Sequence, residues 1–78
     1  INIMITEDGR YLINEKLVES SDIDDMANVL KGIAQGKEDT PVIISADANA
    51  RHQSIINMME ASRKAKLSKI AFTTKPVN

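Results

Sequence analysis

Seventy-eight residues with 42% apolar content and no cysteine specify one small core, not an enclosed active site, because a chain this short buries only about 60% of its extended surface. The lack of Cys excludes thiol chemistry, disulfides and thiolate-bound zinc, and the single His excludes every two-histidine metal pattern. The net charge of −1 divides into −5 over residues 1–41 and +4 over residues 42–78, and with Tyr11 and Phe72 as the sole aromatics the basic half lacks the stacking platform that nucleic acid requires.

Ile1, Ile3 and Ile5 alternate with Asn2, Met4 and Thr6, a period of two that predicts a strand. Its start at the first residue is expected of a soluble piece of a longer chain. Glu7-Asp8-Gly9-Arg10 follows, with Asp-Gly expected to supply the positive φ values of a tight hairpin. Tyr11-Leu12-Ile13 is the return strand. Asn14-Glu15 is a second turn, and Lys16-Leu17-Val18 is a short extended piece that fits a third strand.

Ser20-Ser21-Asp22 predicts a helix start, and Asp24 and Asp25 favour the positive end of its dipole. Ile23, Met26, Ala27, Leu30, Ile33 and Ala34 recur at helical spacing. Gly36 is the expected left-handed C-terminal cap. Val42 to Ala46 is apolar on both faces, as in a central strand. Asp47-Ala48-Asn49 is a turn with capping residues, and a second helix is expected from about Ala50 to Ala65 with Ile55, Ile56 and Met59 inward and Met58 at the margin. Lys69 to Thr74 is the last strand, with Ile70 and Phe72 on one face.

The fold class is α+β: a two-layer sandwich with an N-terminal β-hairpin, then α-β-α-β with a parallel βαβ unit, and both helices on one sheet face. The other face carries Met4, Leu12, Ile43 and Ala71. It is more apolar than a solvated face needs to be, which points to a dimer contact there or along an exposed edge. No linker divides residues 1–78, and no apolar run approaches the length of a membrane span.

Catalysis finds no support. Asp47 ends a central strand and reads as a turn or cap residue; the alternative is a carboxylate facing a strand-end crevice. His52 begins the second helix and has neither a nucleophile nor an orienting group at a useful spacing. No glycine pattern forms a phosphate loop, and no cofactor is implied. Met59 is expected in the core and Met58 at a partner surface. Two classes of function remain: a protein-interaction module, and a small-ligand module at the strand-end crevice. Met4, Leu12, Asp47, His52 and Met58 are the candidate partner-contact residues.

Gly9-Arg10-Tyr11-Leu12-Ile13-Asn14, an amphipathic helix, and then Thr40-Pro41-Val42-Ile43-Ile44-Ser45-Ala46-Asp47 together resemble the periplasmic domain of the ExbD/TolR family. His52 falls five residues after that Asp. Ile55-Ile56, Met58-Met59-Glu60 and the closing Lys69 to Thr74 follow in the family's order, so the resemblance covers nearly the whole chain. Lys66 departs from it, since the family commonly has Gly after the second helix. The resemblance implies the periplasmic part, residues 1–78, of a single-span inner-membrane protein of a Gram-negative bacterium, whose transmembrane helix lies upstream. It implies a non-enzymatic motor subunit driven by proton motive force through an ExbB- or TolQ-like membrane partner. That motor energises a TonB-like protein for outer-membrane import of siderophores and similar substrates. In the alternative branch it energises a TolA-like protein for envelope integrity, with peptidoglycan binding. A homodimer is implied in both. The family's proton-carrying Asp lies in the transmembrane helix, so Asp47 is not that residue. The Ala-Asp strand end and the His-x-x-Ile-Ile helix lean toward the ExbD type.

Overall fold

The computed structural model describes residues 1–75. Strands β1 (Asn2–Ile5), β2 (Tyr11–Ile13) and β3 (Lys16–Val18) precede helix α1 (Ile23–Ala34). Strand β4 (Val42–Asp47), helix α2 (His52–Lys64) and strand β5 (Ile70–Lys75) complete the order. The sheet runs β3-β2-β1-β4-β5. β1–β2 and β2–β3 are antiparallel, whereas β1–β4 and β4–β5 are parallel. This is the α+β architecture expected, with one relation that adjacency along the chain did not give: β1 pairs with β4 and so welds the hairpin to the βαβ unit.

The turns carry the strain that their geometry demands. At the first hairpin the Thr6 N–H donates to the Arg10 carbonyl at 2.9 Å and the Gly9 N–H to the Thr6 carbonyl at 3.1 Å. Gly9 has φ +87°, whereas Asp8 stays in the ordinary region. The loop is therefore a three-residue turn closed by a left-handed Gly, not a two-residue Asp-Gly turn. Asn14 (φ 51°) and Glu15 (φ 70°) form the two-residue loop instead. Both central residues are left-handed, which matches the twist of the flanking strands. Asn14 is further held by Asn2, whose N–H donates to Asn14 Oδ1 at 2.9 Å.

α1 starts at Asp22, whose Oδ2 accepts from the Asp25 N–H at 3.3 Å. Met26, Ala27, Leu30 and Ala34 are buried, whereas Ile33 is 39% exposed. At about 100° of rotation per residue, Ile33 lies roughly 80° from the centre of the buried arc. The left-handed C-terminal turn begins at Gln35 (φ 50°), one residue before the expected Gly36 (φ 80°).

α2 shows the larger correction. Its buried residues are Met58, Ala61 and Ser62, continued by Ala65. Ile55 and Met59 only flank the core, and Ile56 is 37% exposed. The inward face is thus turned by about one residue, roughly 100°, from the stripe of large apolar residues. α2 packs closely against α1, and Ser62 stays satisfied by donating its hydroxyl to the Met58 carbonyl at 3.0 Å. The N-cap is Arg51 without a side-chain cap bond, so the helix begins two residues later than expected.

At the other end of α2, Lys66 adopts φ 63°. The Lys66 N–H donates to the Arg63 carbonyl at 2.9 Å and the Leu67 N–H to the Ser62 carbonyl at 3.0 Å. This is a left-handed cap with Lys where Gly fits without a Cβ penalty. Lys66→Gly is expected to raise stability by about 1 kcal/mol in urea unfolding, with an unchanged slope.

Candidate functional site

The sheet has one covered and one open face, and the alternation of each strand decides which residues lie where. Ile3, Ile5, Tyr11, Ile13, Val42, Ile44 and Ala46 point into the core beneath the helices. Tyr11 is the largest of these. Its hydroxyl donates to the Ser54 carbonyl at 2.8 Å and so ties the start of α2 to β2. Burial raises the Tyr11 pKa, and the Ser54 contact partly opposes the rise.

The open face carries the remaining parity. One row runs Leu17–Leu12–Met4–Ser45–Thr73 across all five strands. The next runs Asn2–Ile43–Ala71. Leu17 is 48% and Ile43 42% exposed. A shallow recess of about 600 Å³ lies here, lined by Asn2, Met4, Leu12, Asn14, Glu15 and Ser45. Ser45 and Thr73 bond to each other at 3.2 Å between their hydroxyl oxygens. The face is apolar along a diagonal from Leu17 to Ala71 and carries no charged side chain along that diagonal. Leu17 was legible as the middle residue of a period-two strand, but a three-residue strand is too short to show its period.

The five sequence candidates do not converge. Met4 and Leu12 are cross-strand neighbours on the open face. Asp47 ends β4, and its Oδ1 accepts from the Asn49 N–H at 2.9 Å, the local turn bond of its expected structural role. His52 is an exposed residue at the start of α2. Met58 is fully buried, which reverses the expected roles of the two methionines: Met58 fills the core and Met59 sits at its margin. Contact with a partner is closed to Met58 while the core is intact. Among the described residues no three His, Asp or Glu side chains converge on a metal-sized site. Among them, too, no helix is long and apolar enough to cross a membrane.

The division of charge resolves partly into one contact. Lys64 Nζ, in the basic half, lies 2.6 Å from Asp24 Oδ1, in the acidic half. The bond to Lys64 lowers the Asp24 pKa, and the same bond raises that of Lys64. Both side chains are exposed, so the pair is open to screening by salt.

Among the described residues one sheet face is uncovered and β3 and β5 are the edge strands of the sheet. A family model described as Biopolymer transport protein ExbD/TolR matches residues 1–77. The chain belongs to the ExbD/TolR family, whose members are inner-membrane transport proteins with periplasmic domains. Among curated proteins no single sequence matches it.

Met58→Ala is expected to cost about 2–4 kcal/mol in urea unfolding, and Met59→Ala clearly less, because only the first opens a cavity. Asp24→Asn tests the surface pair. A lowered carboxylate pKa gives stability that is present above the ordinary carboxylate value and lost as pH falls below it, through the lowered value of the folded state. The raised pKa of Lys64 adds stability that is lost only as pH rises beyond the usual lysine range. The gap in thermal midpoint between wild type and Asp24→Asn should be flat near neutral pH, close below about pH 3.8, and shrink in high salt.

Proposed function

We propose that residues 1–78 form a single periplasmic domain that transmits force in an inner-membrane motor driven by proton motive force. Membership in the ExbD/TolR family supports a subunit that energises biopolymer transport and works beside ExbB- or TolQ-like and TonB- or TolA-like proteins. The finer reading is the ExbD type: a homodimeric subunit, anchored by an upstream transmembrane helix, that energises TonB-dependent import of siderophores and similar substrates. The observation that carries the docking role is the open sheet with its unpaired edge, which offers apolar side chains and backbone bonding groups to an extended partner segment. No residue of this domain moves the proton in this reading. The domain instead changes its contacts as the membrane part cycles. The second reading is the TolR type, which serves envelope integrity and binds peptidoglycan.

Deleting the gene in its own host separates these readings. Loss of growth on iron–siderophore complexes, with normal detergent resistance, is the expected result. Detergent sensitivity with normal siderophore use, together with retention of the purified protein on peptidoglycan, selects the second reading. A deletion strain normal in both respects overturns the motor assignment.

A further inference from the structure

The first hairpin holds the one Asp-Gly pair of the chain: Asp8 precedes Gly9, and every other Asp precedes a residue with a side chain. Such a pair has a chemistry of its own, because glycine leaves its amide nitrogen open to the neighbouring carboxyl. The nitrogen attacks the Asp Cγ, its proton leaves with the carboxyl hydroxyl as water, and a succinimide ring forms. Water then adds to the main-chain carbonyl carbon of the Asp, and the bond from that carbon to the nitrogen breaks. The chain now runs through Cγ as isoaspartate, and the former main-chain carbonyl is a free carboxylate. The water lost is the water regained, so the change is an isomerisation and needs no other reactant.

The folded turn holds both reacting groups off this path, and Thr6 takes part in each restraint. The Gly9 N–H donates to the Thr6 carbonyl at 3.1 Å. The Thr6 hydroxyl donates to Asp8 Oδ1. The same hydroxyl oxygen accepts from the Arg10 N–H at 2.9 Å, and Arg10 Nε lies 3.3 Å from Asp8 Oδ2. The bond from Thr6, helped by the Arg10 charge, keeps the Asp8 pKa below its ordinary value. That favours the carboxylate over the neutral carboxyl, the form that closes the ring by losing water. With Asp8 outside the left-handed region, the Thr6–Gly9 bond is that of a type I turn, whose third residue has ψ of about 0°. At that angle the Gly9 nitrogen is rotated away from the Asp8 Cβ, whereas the ring needs the two nearly eclipsed.

The change would be felt beyond the turn. Isoaspartate lengthens the main chain by one atom between Thr6 and Arg10, whose N–H and carbonyl close the loop at 2.9 Å. The next pair is Ile5↔Tyr11, and Tyr11 carries the bond to Ser54 at the start of α2. Asp8 itself is exposed, so water is at hand once these bonds open. We propose that Asp8-Gly9 is a site of isoaspartate formation that the folded domain keeps closed, with Thr6 as the latch and opening of the β1–β2 hairpin as the trigger.

The test follows isoaspartate at position 8 by fragment-ion mass spectrometry, and by methyl transfer from an isoaspartyl methyltransferase, as the whole chain is incubated in neutral buffer. The unfolded peptide spanning residues 5–13 should convert roughly tenfold faster than the folded chain, because only the open hairpin reacts. Thr6→Val removes the hydroxyl and keeps the branched side chain, and it should speed conversion of the folded chain about fivefold. Thr6→Ser keeps the hydroxyl and should match wild type. Asp8→Glu, whose ring would need one more atom, should give no product at that position. Hydrogen exchange of the Gly9 amide should rise in Thr6→Val by a similar factor, while the amides of β4 keep their wild-type rates. Equal rates for the peptide and the folded chain, or no conversion in the peptide, would overturn the proposal. So would a Thr6→Val chain as slow as wild type, a Thr6→Ser chain as fast as Thr6→Val, or a rise in β4 exchange as large as that of Gly9, which would make global unfolding the trigger.

Discussion

The parity of β1 and β4 governs this fold. Ile3 and Ile5 on one strand, and Val42, Ile44 and Ala46 on the other, are all buried. Ile3 lies beside Ile44 and Ile5 beside Ala46 in a parallel register. At about 25 cal/mol per Å² of apolar surface, burying such side chains is the main favourable contribution available to so small a chain. A slip of one residue in either strand would turn its whole set outward. Everything else is arranged around that constraint. β2 is added by a hairpin whose Tyr11 reaches α2, and β5 is added by the crossover through α2.

The same parity creates the functional surface. Residues that cannot point inward point to the open face, and there Met4, Leu12, Leu17, Ile43 and Ala71 form an apolar diagonal beside Asn2, Ser45 and Thr73. A soluble antiparallel sheet usually sets polar side chains on its exposed face. Here the helices cover one side, and the other keeps an apolar diagonal. The edge strand β5 is long and bare where β3 is short and starts with a lysine. These two features give the domain surfaces for contact, which accords with its membership in a family of transport proteins.

Much of this was legible along the chain. The strands, both helices and the open-face residues follow from period-two and period-3.6 patterns, and the order of the motifs carried the resemblance to the family. The failures share a cause. Hydropathy pointed to Ile55, Ile56 and Met59 as the inner face of α2, because large apolar residues are the visible signal. The face that is buried instead carries Ala61, Ser62 and Ala65, small residues on a helix packed closely against α1. For the same reason Met58 was expected outside and lies inside. At the hairpins, Asp8-Gly9 carried the stronger local signature for two left-handed residues, but the register of β1 with β2 places three residues in that loop and moves the two-residue turn to Asn14-Glu15.

The sequence by itself determined the class of fold and the side of the sheet left open, because these depend on local periodicity and residue chemistry. Only the tertiary structure decided how β1 joins β4, which methionine is core and that Lys64 meets Asp24. Those depend on contacts between residues distant along the chain, whose energies no local pattern encodes.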